Sequence, residues 1–89
     1  MTTNLRLEKE ILRALNARAI GQNLCGMRRS TLASELDIRG IAADEHEIRD
    51  CMAKLLDLGQ ITVKEISPGS EYYYITPKGL ERATAEGWL

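Results

Sequence analysis

Leu55-Leu56-Asp57-Leu58-Gly59-Gln60-Ile61-Thr62-Val63-Lys64-Glu65-Ile66 is where the hydrophobic period of this chain changes. Before Gly59, Ile48, Cys51, Met52, Leu55 and Leu58 recur at helical spacing and predict a helix with one buried stripe. Asp44-x-x-Glu47 opens it as a capping box, and Gly59 suits the left-handed position that ends it. After Gly59 the β-branched run Ile61–Ile66 predicts a strand, with Tyr72-Tyr73-Tyr74-Ile75 as its partner. Ser67-Pro68-Gly69-Ser70 joins the two strands, Pro68 presetting the second turn position and Gly69 tolerating positive φ at the third. Thr76 and Pro77 then supply the cap and first residue of a last helix, running to about Glu86. That helix is expected to bury Leu80, Ala83 and Thr84, with Gly87 ending it and Trp88 folding back on the body.

Upstream, Leu7, Ile11, Leu12, Ala14 and Leu15 predict a first helix over Leu5–Ala17, capped by Thr3 or Asn4. Arg6, Lys9 and Arg13 fall within roughly 60° of one another on its other side, where Glu10 partly neutralises them. Gly21 to Gly26 reads as a loop. Ser30 is expected to cap a short helix, Thr31–Leu36, whose apolar face is Leu32, Ala33 and Leu36. Asp37 to Ala43 is a turn around Gly40.

Eighty-nine residues allow one domain, residues 1–89. A net charge of −1 argues against a chain built to coat nucleic acid or an anionic membrane. That balance hides an asymmetry: residues 1–29 carry six basic and two acidic side chains, and residues 30–89 carry six and eleven. No apolar run approaches the roughly 20 residues of a membrane span, and charges interrupt the N-terminus too early for a secretion signal. Two cysteines are too few to staple a secreted mini-domain, which points to the cytoplasm. Cys51 falls on the apolar stripe as a small core residue, and Cys25 lies in the loop.

Nothing here points to catalysis. His46, the single histidine, sits in an acidic helix start where a solvated role is expected. Cys25, Cys51 and His46 lack the close spacings of a zinc site, and Gly21 and Gly26 lack the Lys-Ser/Thr of a phosphate loop. No cofactor or metal is therefore expected.

Helix, short helix, longer helix, β-hairpin, helix is an α+β, mainly α order that resembles a winged helix-turn-helix: three helices, a two-stranded wing and a C-terminal helix. Leu55–Ile61 is similar to the junction where a recognition helix enters the first wing strand. Tyr72-Tyr73-Tyr74-Ile75-Thr76-Pro77-Lys78-Gly79-Leu80 is similar to the return strand and final-helix start of small bacterial regulators, among them relatives of the phenolic-acid and multiple-antibiotic-resistance repressors. The resemblance spans about residues 5 to 86 and is specific for the superfamily.

It implies binding to double-stranded DNA, with Glu45–Leu58 entering the major groove and Glu45, His46, Glu47, Arg49, Asp50 and Ala53 facing it. The departure is electrostatic. Asp44, Glu45, Glu47 and Asp50 crowd that helix start, and the wing tip carries no Lys or Arg. Each carboxylate near DNA opposes binding, although an acidic side chain can read a cytosine amino group if basic neighbours hold the helix down. The basic third should then supply the contacts, through Arg28, Arg29, Ser30 and Thr31 at the short-helix entrance. Arg39 and the first-helix stripe would add to them, along with His46 and Arg49. A homodimer is expected, because one such module buries little surface on DNA. The alternative is an adaptor that binds another protein through Glu45, Glu47, Asp50, Tyr72, Tyr74 or Trp88. Tyr72, Tyr73 and Tyr74 alternate across a strand, so either Tyr73 alone packs inside or the other two do.

Overall fold

The computed structural model describes residues 5–21 and 26–89, with the side chains of residues 18–21 outside the described set. The expected caps Thr3 and Asn4 and the loop thiol Cys25 lie outside the described residues. The elements, in order, are α1 (Leu5–Gly21), α2 (Arg29–Ile38), α3 (Glu45–Asp57), β1 (Ile61–Ser67), β2 (Ser70–Ile75) and α4 (Pro77–Ala85).

Helix α1 is the spine of the core. Leu7, Ile11, Leu12 and Leu15 are buried along it, and Leu32 and Leu36 of α2 and Ile48, Met52 and Leu55 of α3 close over them. The helix reaches Gly21, four residues past the expected end. The α2 boundary also moves. Met27 pairs antiparallel with Tyr73, its N–H donating to the Tyr73 carbonyl at 3.0 Å and its carbonyl accepting at 2.8 Å. This bridge fixes the chain as extended at Arg28, which becomes the N-cap without a side-chain bond. Ser30 therefore lies within the first turn of α2 and does not cap it.

The α3 start is as expected: Asp44 Oδ1 accepts from the Glu47 N–H at 2.8 Å, and Glu47 Oε1 accepts from the Asp44 N–H at 3.2 Å. Gly59, at φ +72°, turns the chain out of the helix. Leu58 is thereby left at the cap, off the stripe and 41% exposed, against the expectation of burial.

The hairpin is antiparallel, with Ile61 opposite Ile75 and Lys64 opposite Tyr72. Its register shifts at Ile66, where a bulge lets the strands extend to Ser67 and Ser70 around a tight Pro68-Gly69 tip. Tyr73 is the inward tyrosine.

Helix α4 is capped by Thr76, whose Oγ1 accepts from the Gly79 N–H at 3.1 Å and donates to the Gly59 carbonyl at 2.6 Å. Its buried face is Gly79 and Ala83. A Cβ at Gly79 would run into the Gln60 carbonyl oxygen, so the helix sits directly on the backbone there. Leu80, one residue round, is turned outward and 41% exposed, and Thr84 is exposed too; both expectations of burial are corrected. Trp88 folds back against the core, its backbone N–H donating to the Ala83 carbonyl at 2.8 Å.

Candidate nucleic-acid interface

The starts of α2 and α3 and the tip of the hairpin meet around an open groove of about 630 Å³. Arg29, Glu45 and Glu71 are among its charged lining, and Ile41, Ile48 and Tyr73 supply apolar surface. The first N–H groups of α2 receive no side-chain cap, so this helix end keeps its partial positive charge and unused donors.

Arg28 and Arg29 flank that end and are held differently. Arg28 reaches onto the hairpin: Nε donates to Tyr72 Oη at 3.2 Å, Nη2 donates to Ser70 Oγ at 3.4 Å, and the guanidinium lies 5.3 Å from the Tyr72 ring centroid. Arg29 spans to α3, with Nη2 3.4 Å from Glu45 Oε1. Arg39 is drawn elsewhere. Its Nη1 lies 3.4 Å from Glu10 Oε1 and its Nη2 3.5 Å from Glu35 Oε1, so two carboxylates already absorb its charge. Glu10 also takes Arg13 at 3.4 Å, leaving Arg6 and Lys9 as the members of the α1 stripe without an ion pair among the described residues.

The crowded carboxylates of α3 are similarly committed. Glu47 is tied into the cap, Glu45 pairs with Arg29, and Asp50 stands 3.4 Å from His46 Nε2, an ion pair whenever the imidazole is protonated. Arg49 is exposed and makes no ion pair among the described residues.

A chain in the crystal structure of SSV1 F-93 matches this architecture with a TM-score of 0.63 at 18% sequence identity, covering 88% of this chain and 79% of that chain. The fold is a winged helix. No family model matches the sequence, and neither does any curated protein. In winged-helix terms, α2 and α3 are the helix-turn-helix pair and β1–β2 the wing. Arg28, Arg29, Ser30 and Thr31 fall together at one end of that pair, Arg49 and His46 lie on the outer face of α3, and Arg39 stands apart on the α1 side.

The alternative set is dispersed. Glu45, Glu47 and Asp50 share the start of α3, Tyr72 and Tyr74 lie on the outer face of the wing, and Trp88 is half-buried with Arg82 4.9 Å above its ring.

One cluster escaped the sequence reading. Glu8 of α1 is fully buried, its Oε1 accepting from Arg82 Nη1 at 2.7 Å and its Oε2 from Lys54 Nζ at 3.1 Å. Arg82 also donates to Gln60 Oε1 at 2.8 Å. The signal was present in the spacing, since Glu8 lies three and four residues before Ile11 and Leu12 on the buried face. Beside this cluster, burial in the first place and the Glu8 carboxylate in the second push the Cys51 thiol up to about 12, while Lys54 and Arg82 pull the other way. A thiol so raised is no nucleophile at neutral pH. Among the described residues no group of three or more His, Cys, Asp or Glu could hold a metal ion. Nor is any described helix long and apolar enough to cross a membrane.

Proposed function

We propose that this winged helix is a non-enzymatic regulator of transcription that binds double-stranded DNA, as a homodimer. The observation that carries the reading is the uncapped start of α2, flanked by Arg28 and Arg29 and set beside Arg49 of α3, which makes no ion pair among the described residues. Backbone donors, a helix dipole and guanidinium groups suit phosphate oxygens. The local pairing of Glu45 and Glu47 weakens the electrostatic objection to α3, because neither carboxylate stands alone before an incoming phosphate.

The test is a fluorescence-anisotropy titration of mixed-sequence duplex DNA at roughly 50 and 200 mM salt. Affinity should fall steeply with salt, and Arg28→Ala with Arg29→Ala should weaken binding and flatten that slope. No binding at high micromolar protein in the low-salt buffer removes the reading. The net acidity of the α3 start favours a second one, a docking surface for a basic protein partner. The pair Glu45→Lys and Asp50→Lys leaves the capping box intact and separates the two. It should tighten duplex binding under the first reading and abolish partner capture under the second.

A further inference from the structure

Residues 62, 64, 72 and 74 alternate away from Ile61 and Tyr73, which face the core, so they share the outer surface of the wing. The isolated Met27 bridge brings Arg28 and Gly26 alongside β2. Across the sheet, one row reads Arg28, Tyr72, Lys64, and the next reads Gly26, Tyr74, Thr62. Both rings carry a cation: Arg28 lies 5.3 Å from the Tyr72 centroid and Lys64 5.5 Å from that of Tyr74. Glycine at 26 lets the Tyr74 ring lie flat on the backbone, since a Cβ there would fall 2.6 Å from its Cζ. The carboxylates of the wing are segregated from this surface. Glu65 and Glu71 oppose each other at a register position that alternates to the other side, where Glu71 lines the groove with Tyr73.

We propose that this outer wing surface, built on Tyr72 and Tyr74 with Arg28 and Lys64, is a stacking site for an unpaired nucleic-acid strand. Two aromatic rings at alternate positions of a β-strand stand roughly 7 Å apart, a spacing that an extended single strand matches with successive bases. Every base has a π-face, and stacking on an aromatic side chain contributes without regard to sequence. The two cations hold the rings in place while the site is empty and turn to the phosphates when a strand arrives. No carboxylate of the wing lies on this surface to oppose that exchange. The site borders the α2–α3 end proposed to meet duplex DNA and shares Arg28 with it, while Tyr74 and Lys64 belong to the wing alone.

The experiment uses the full chain with a fluorescein-labelled oligothymidylate about 12 nucleotides long, in the range of ordinary single-strand sites, carrying 5-iodouracil for photocrosslinking. Expected are saturable, salt-sensitive binding and a crosslink mapped by mass spectrometry to Tyr72 or Tyr74. Tyr74→Ala with Lys64→Ala should lower oligonucleotide affinity at least tenfold while leaving duplex affinity within about twofold. Unchanged oligonucleotide binding by that variant, or crosslinks confined to residues off the wing, overturns the proposal. So does an acidic peptide that displaces the oligonucleotide from wild type at equimolar concentration, since a mere anion surface would behave in that way. Loss of duplex binding through Arg29→Ala with oligonucleotide binding retained would mark the two surfaces as distinct.

Discussion

Glu8 is fully buried with two cations on it, and its removal shows what the pairing is worth. Deleting one member of a buried ion pair costs about 3–5 kcal/mol, because the remaining charge loses its partner inside. Here the remaining charges are Lys54, with a side chain 42% exposed, and Arg82, at 22%, and both can turn toward water. Glu8→Ala should therefore cost about 3 kcal/mol, at the low end of that range, read by urea denaturation. Cys51 gives a pH signature. Its folded thiol is raised from 9.0 to about 12, so the protonated form is the one the fold favours. Stability from this source is complete below pH 9 and lost as pH rises toward 12. Urea denaturation at pH 8 and pH 10.5 should show an alkaline loss in the wild type that is smaller in Cys51→Ala.

At the scale of elements, the two side-chain caps are unequal. Asp44 serves only its own helix, and Asp44→Ala should cost about 1 kcal/mol. The Thr76 hydroxyl caps α4 and also donates to the Gly59 carbonyl, tying the turn after α3 to the start of α4. Thr76→Ala should cost roughly twice as much, because a second hydrogen bond goes with the cap, and Thr76→Ser should recover most of the loss in thermal melts. Both caps were readable in the sequence because capping is local: an oxygen and an N–H three residues away. The α2 start was not. Ser30 is a good capping residue by type, but the Met27–Tyr73 bridge, closed across 46 positions of chain, sets where the helix begins.

For the molecule as a whole, the close approaches of backbone decide how its parts seat. Gly79 puts α4 on the Gln60 carbonyl, a backbone atom that cannot move aside, and Gly26 puts Tyr74 over the bridge strand, where the obstacle is a ring that can rotate. Gly79→Ala should lower stability by about 3 kcal/mol or more and Gly26→Ala by about 1 kcal/mol, an order that differential scanning calorimetry of both variants would check.

By itself the sequence determined the order and type of the elements, though not the end of α1 or the start of α2. Helical period to Leu55, strand period from Ile61, the Pro68-Gly69 tip and the caps at Asp44 and Thr76 are local signals, and the order of elements they give resembles a winged helix. Only the tertiary structure decided where charge resides. It buried Glu8 with Arg82, 74 positions away, turned Leu80 outward because Gly79 needed the inner face, and committed Arg39 to two carboxylates. It also gathered Arg28, Tyr72 and Lys64 into one row across the sheet. Those outcomes depend on which side of each element meets which neighbour, and burial and ion pairing act through space between residues that the chain keeps far apart.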